Sequence, residues 1–115
     1  MATAFTHQEE TIILQKLKST AQESAVSFGV RKTTVDQLAA AAGISKGAFY
    51  KFYASKELLF FDVLEEMHTG IYEAAAAALN KNAALAPTER ASQALLAACH
   101  AMERSGMMAF VERDA

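Results

Sequence analysis

The sequence contains few residues that would interrupt a helix. It has one proline, Pro87, and only five glycines in 115 residues. Alanine, the strongest helix former, is abundant instead. Hydrophobic residues make up 52% of the chain, which is enough to pack a core and argues against a disordered protein. Together these proportions predict an all-α fold.

The sequence also lacks features that are typical of secreted and membrane proteins. The single Cys99 cannot form an internal disulfide, and the N-terminus has no apolar leader. Both features predict a reducing, cytoplasmic setting. Cys99 itself is expected to be a small core residue. The longest nearly apolar runs, Leu58–Leu64 and Ala74–Leu79, are far shorter than the ~20 residues that a bilayer span needs. We therefore expect no membrane partner.

Charge is unevenly distributed along the chain, whose net charge is −2. Residues 31–57 contain two acidic residues and five basic ones, which are Arg31, Lys32, Lys46, Lys51 and Lys56. A basic segment inside an acidic chain is typical of a small DNA-binding module attached to another domain. Chance clustering of charges on solvated faces explains the same distribution equally well.

Apolar residues recur at helical spacing along most of the chain. The pattern predicts helices over residues 9–28, 34–42, 45–52, 55–79 and 87–104, with a sixth beginning near residue 107. The first helix is expected to bury a face formed by Ile13, Leu14, Leu17, Ala21, Ala25 and Phe28. The fourth helix is expected to bury a broad stripe formed by Leu58, Leu59, Phe61, Val63, Leu64 and Met67.

The second and third predicted helices meet at a glycine turn. Thr34 and Ser45 can each cap the helix that follows, and Gly43 can take the left-handed backbone that ends the second helix. Two short helices joined in this way form a helix-turn-helix. The side chains expected to fill the space between these helices and the first one are Leu38, Ile44, Phe49 and Phe52.

Residues 41–59 read Ala-Ala-Gly-Ile-Ser-Lys-Gly-Ala-Phe-Tyr-Lys-Phe-Tyr-Ala-Ser-Lys-Glu-Leu-Leu. This stretch resembles the signature of the tetracycline-repressor (TetR) family, and the resemblance extends over about residues 13–64. It implies a three-helix, homeodomain-like helix-turn-helix domain over residues 1–53. Residues 54–115 would then be a long helix and the incomplete start of a helical ligand-binding and dimerisation domain.

The resemblance also implies which residues face double-stranded DNA, with the third helix in the major groove. These are Thr34, Ser45, Lys46, Gly47, Ala48, Tyr50, Lys51 and Lys56. Lys46 would donate to guanine or phosphate, and Gly47 would let the backbone approach closely. Thr34, Tyr50, Lys51 and Lys56 would hold phosphates, the last with help from the N-terminus of the fourth helix.

The sequence departs from the family pattern at three places. Ala48 replaces a common Thr or Ser, which removes one polar base contact but leaves a methyl group that can pack on thymine. Ala25 stands where the family often has Phe, for which Phe28 would compensate. Ala54 stands where Pro is frequent. The first departure makes the preferred DNA sequence harder to deduce.

The function implied is a ligand-responsive repressor that binds a palindromic operator as a homodimer and responds to an unknown small-molecule effector. Because family members usually continue beyond this length, an alternative is a truncated module that sequesters a full-length partner.

We expect no enzyme, cofactor or metal, since His7, His68 and His100 lack ligand partners at suitable spacing. The apolar residues Met102, Met107, Met108 and Phe110 are expected to form ordinary core or to line a ligand pocket.

Overall fold

The computed structural model describes residues 4–109, which form five α-helices. In chain order these are α1 (His7–Ser27), α2 (Val35–Ala42), α3 (Lys46–Phe52), α4 (Lys56–Lys81) and α5 (Pro87–Ser105). Residues 107–109 are helical again, whereas Phe110 lies outside the described residues. The described part of the chain contains no strand, so the predicted all-α fold is confirmed, with helix ends shifted by one or two residues.

Side-chain caps determine where the first two helices begin. The Thr6 hydroxyl accepts a hydrogen bond from the backbone N–H of Glu9 at 3.1 Å, and the Glu9 carboxylate accepts one from the N–H of Thr6 at 2.9 Å. This backbone hydrogen bond, together with the Thr6 hydroxyl, lowers the pKa of Glu9. Thr34 and Gln37 repeat the same reciprocal pair at the start of α2. Such boxes satisfy backbone donors that have no partner within the helix.

Two glycines set the directions of the chain after α1 and α2. Gly29 has φ +89° and Gly43 has φ +75°, a left-handed backbone that residues with a Cβ rarely adopt. After Gly43, the N–H of Ile44 donates to the carbonyl of Ala39 at 3.0 Å, which satisfies an acceptor at the end of α2. The predicted glycine turn between the two helices is therefore present.

The core lies where α1, α2, α3 and α4 meet. Each helix contributes one large, fully buried apolar side chain, namely Leu17, Leu38, Phe49 and Leu59. Ile44 and Phe52 are partly buried and pack against this cluster. The predicted filling of the space between the helix-turn-helix and α1 is thus confirmed, and it fixes α3 on the outside of the bundle.

The helix α5 runs back along α4. At one end, the Arg90 guanidinium donates to the carbonyl of Leu79 at 3.1 Å. At the other end, the Gln22 side-chain amide donates to the carbonyl of Ser105 at 3.0 Å. The C-terminal end of α5 therefore returns to α1. No helix of the described chain is long and apolar enough to cross a membrane.

Some core predictions were wrong. Phe28 is 61% exposed because it is the C-cap residue of α1, where the backbone has left the helical path. In α4, Leu58 and Phe61 are exposed, whereas Phe60 is buried. Adjacent residues on a helix point about 100° apart, so only one of the two phenylalanines can face α1. Cys99 is also exposed, not a core residue.

Leu17→Ala tests the packing of this core. Leu17 is fully buried, so its truncation should lower the free energy of unfolding by about 2–5 kcal/mol. The exposed Leu95 provides a matched control, and Leu95→Ala should change that free energy by only about 0.5 kcal/mol. Urea denaturation followed by far-UV circular dichroism measures both. Equal losses for the two variants would contradict the assigned core.

Candidate nucleic-acid interface

The predicted recognition helix α3 is short and is fixed at its beginning. The Ser45 hydroxyl accepts a hydrogen bond from the N–H of Ala48 at 3.1 Å, which caps the helix. Gly43 and Ile44 bring the chain from α2 directly to this cap. The relative placement of α2 and α3 is therefore determined by a turn and a cap that are both encoded locally.

The burial of α3 separates an inner side from an outer side. Phe49 is fully buried and Phe52 partly buried, so these two side chains anchor the helix to the core. Four of the α3 residues predicted to contact DNA are exposed, namely Lys46, Gly47, Tyr50 and Lys51. Ala48 is partly buried. The outward side of α3 thus carries two cations and a phenol hydroxyl.

A shallow pocket of about 380 Å³ lies between the beginnings of α2 and α4 and the side of α3. It brings together four residues that the sequence predicted to contact DNA, namely Thr34, Lys46, Tyr50 and Lys56. Ser45, Gly47, Ala48 and Lys51 do not line this pocket, but all four belong to α3 or its cap. The predicted residues therefore form one continuous region of the molecule.

Two hydroxyl groups in this region also cap helices. The Thr34 and Ser45 oxygens each accept a backbone N–H at 3.1 Å. A hydroxyl has one donor hydrogen besides its acceptor lone pairs, so each group can cap its helix and still donate to a phosphate. The capping role and the predicted DNA contact are compatible at both residues.

Lys56 is bound within the protein. Its ammonium donates to the carbonyls of Val30 and Thr33 at 2.8 Å and of Arg31 at 3.3 Å. An ammonium has three donor hydrogens, and these three acceptors use them all. A phosphate contact for Lys56 stays a prediction, but the described contacts favour a different role, which is to hold the loop between α1 and α2 against the start of α4.

Acidic side chains border the same pocket. Asp36 and Glu57 line it beside Lys46 and Lys56. The Lys46 ammonium lies 4.0 Å from the Asp36 carboxylate, and both side chains are largely exposed. Exposed pairs of this kind contribute little to stability, so Lys46 is not held in place by Asp36. An anion approaching Lys46 would nevertheless meet the negative charge of Asp36.

Two features of this region were missed by sequence reasoning. One is the set of carbonyls around Lys56, and the other is a hydrogen bond from the Tyr53 hydroxyl to the Asp62 carboxylate at 2.6 Å. No local pattern identifies either contact, because the partners lie on different elements.

A family described as "Bacterial regulatory proteins, tetR family" matches residues 19–63. The chain carries a TetR-family N-terminal domain. The matched segment extends from within α1 to within α4 and includes the whole of α2, the turn and α3. Comparison with curated proteins and with solved structures gave no significant match.

TetR-family membership of this domain implies a DNA-binding transcription regulator. It makes an enzyme an implausible reading, since proteins of the family are regulators. The described residues contain no group of three or more His, Cys, Asp or Glu side chains that could hold a metal ion. The region of α3 and Thr34 lies within the matched segment.

The three carbonyls around Lys56 predict how Lys56→Met will behave. Methionine keeps the apolar stem but removes the three N–H donors, so the free energy of unfolding should fall by about 2 kcal/mol. Lys51→Met is the matched control, because Lys51 is exposed and should change that free energy by about 0.5 kcal/mol or less. Urea denaturation of both variants gives the comparison. If Lys56→Met unfolds at the same urea concentration as Lys51→Met, the loop contacts do not stabilise the fold.

Proposed function

We propose that this chain is the DNA-binding part of a ligand-responsive repressor, with α3 placed in the major groove of a palindromic operator. The observation that carries the proposal is the outward side of α3, where Lys46, Tyr50 and Lys51 are exposed around a buried Phe49. The major groove admits one α-helix and presents a distinct pattern of donors and acceptors for each base pair. Lysine and tyrosine side chains supply donors for base edges and phosphates.

The residues divide into base-reading and phosphate-holding groups. Lys46 lies in the first turn of α3 and donates to guanine O6 and N7 or to a phosphate. The methyl group of Ala48 packs on thymine. Tyr50, Lys51 and the caps Thr34 and Ser45 hold phosphates on either side of the groove. In this arrangement Lys56 orients the loop before α2 and contributes its charge to the surface without a phosphate bond of its own.

The remainder of the chain belongs to a second functional unit. We assign residues 1–53 to the DNA-binding domain and residues 54–115 to the beginning of a ligand-binding and dimerisation domain. The packing of α1 against α4 and the hydrogen bond from Gln22 to Ser105 link the two units physically. In a homodimer, an effector that moves α4 would change the separation of two recognition helices and release the DNA.

A second candidate is a module that binds and sequesters a protein partner. Several large apolar side chains of α4 and α5 are exposed, which favours an interaction surface there. They are Leu58, Phe61, Tyr72, Leu95 and Leu96. This candidate predicts a folded protein that does not discriminate between DNA sequences, so the DNA-binding experiment below separates the two functions.

Gly47→Ala tests the close approach of α3 to DNA. A Cβ at Gly47 would meet only the Ser45 hydroxyl, at 3.9 Å, so the fold has room for alanine. Alanine should leave stability unchanged or raise it by roughly 0.5–1 kcal/mol, whereas the added methyl group should weaken operator binding at least about fivefold. Gly70→Ala is the control, because Gly70 lies in open space on α4 and away from α3. Equal DNA affinities of the two variants would argue against backbone approach at Gly47.

The main test is fluorescence anisotropy of the full 115-residue chain on two labelled duplexes, one from upstream of its own reading frame and one scrambled. The proposal expects tighter binding to the upstream duplex and weaker binding at higher salt. Lys46→Ala should cost about 1–3 kcal/mol if Lys46 reads guanine, or should lower the salt slope by about one if it holds a phosphate. Tyr50→Ala should also weaken binding.

Matched controls come from residues far from α3. Lys81 and Tyr72 are exposed on α4, so Lys81→Ala and Tyr72→Ala should bind the upstream duplex as the unmodified chain does. Equal binding of both duplexes by a folded, helical protein would count against the repressor and favour the module that binds a partner. Losses in the control variants as large as those of Lys46→Ala would show that α3 is not the contact surface.

A further inference from the structure

Tyr53 occupies the position at which the recognition helix ends. It is the C-cap residue of α3, and its ring packs near that of Phe49, with centroids 6.3 Å apart. Its hydroxyl donates to the Asp62 carboxylate on α4 at 2.6 Å. Tyr53 does not line the pocket formed by Thr34, Lys46 and Tyr50. Tyr53 thus links the end of α3 to the core and to α4.

Asp62 is held in turn by a cation from α1. The Lys18 ammonium lies 3.7 Å from the Asp62 carboxylate and 2.6 Å from that of Glu66, one turn further along α4. The hydrogen bond with Glu66 raises the pKa of Lys18, and burial together with the Asp62 contact raises that of Tyr53. Lys18 thus stays charged and Tyr53 stays a hydrogen-bond donor. We call Tyr53, Asp62, Lys18 and Glu66 the polar clasp.

A short helix needs a directional contact at its far end. With seven residues, α3 makes only two turns, which are marginally stable without tertiary packing. The burial of Phe49 decides which side of α3 faces the core, but apolar packing is non-directional and does not by itself fix the exact orientation of the helix. A hydrogen bond to a carboxylate is short and directional, and stronger than one between neutral groups. The polar clasp supplies this restraint at the end of α3 opposite the Ser45 cap.

We propose that Tyr53 is a positioning residue for DNA recognition: its hydroxyl, held by Asp62, sets the orientation in which α3 presents Lys46 and Ala48 to base edges. The inference rests on the proposed function, because orientation matters only if α3 reads DNA. Base contacts require side chains held close to their productive geometry, whereas non-specific binding depends on charge alone. Loss of the hydroxyl should therefore reduce discrimination between sequences more than it reduces general affinity for DNA.

Tyr53→Phe removes only this hydroxyl and keeps the ring against Phe49. Binding of the upstream duplex should weaken about tenfold, the size of one charge-assisted hydrogen bond, and binding of the scrambled duplex should stay within about twofold. Tyr72→Phe, on the exposed side of α4, is the matched control and should bind both duplexes normally. Far-UV circular dichroism checks that both variants keep their helices. Equal losses on both duplexes, or none on either, would overturn the proposal.

Asp62→Ala tests whether the hydroxyl acts through its acceptor. If it does, Asp62→Ala alone should reproduce the loss of discrimination, and the double variant with Tyr53→Phe should be no worse than either single variant. Additive losses would mean that Tyr53 acts independently of Asp62, contrary to the proposal. Because Asp62 is partly exposed, its truncation creates no cavity in the core.

Amide hydrogen exchange separates this inference from the proposed function. Without its hydroxyl, the end of α3 should open more often, so amides of residues 50–53 should exchange severalfold faster in Tyr53→Phe than in Tyr72→Phe. Amides of α2 should be unaffected. If the unmodified chain binds both duplexes equally, the proposed function fails, and exchange alone decides whether the polar clasp orients α3. Unchanged exchange in Tyr53→Phe would overturn the inference even if the chain binds its operator.

Discussion

The complete burial of Phe49 is the constraint on which the outward surface of α3 depends. Residues on a helix are rotated by about 100° each, so Gly47 and Lys51 must lie nearly opposite a buried residue 49. Tyr50 and Ala48 lie at the two flanks, and Ala48 accordingly is partly buried. One aromatic side chain thus decides which residues can approach a partner. The absence of a side chain at Gly47 leaves the backbone most accessible at the point furthest from the core.

The same groups serve folding and the assigned surface. Thr34 and Ser45 use their oxygens to cap α2 and α3 and retain a hydroxyl hydrogen for a partner. Lys56 differs, because its three donors are spent on loop carbonyls. A lysine that borders the surface assigned to DNA is therefore not always available to bind a phosphate there. The positive charge of Lys56 still contributes to the local potential, but the position of its ammonium is set by the loop carbonyls.

Sequence reasoning succeeded where the determinants are local. The caps at Thr34 and Ser45 and the turn at Gly43 act within a few residues, and each was found where predicted. It failed where the outcome depends on packing between elements. The pattern could not decide between Phe60 and Phe61, since the choice depends on the angle at which α4 crosses α1. For the same reason the acceptors of Lys56 and of Tyr53 could not be predicted, because each lies on an element that only tertiary folding brings near.

One face of α1 carries the contacts both to the polar clasp at the end of α3 and to the end of α5. Lys18 and Gln22 are four residues apart, so they lie on the same side of α1, one turn from each other. Lys18 holds the carboxylates of Asp62 and Glu66, and Gln22 holds the carbonyl of Ser105 at the end of α5. A shift of α5 along α1 would therefore act one helical turn away from Lys18. Lys18 contacts Asp62, which accepts the hydrogen bond from the Tyr53 hydroxyl.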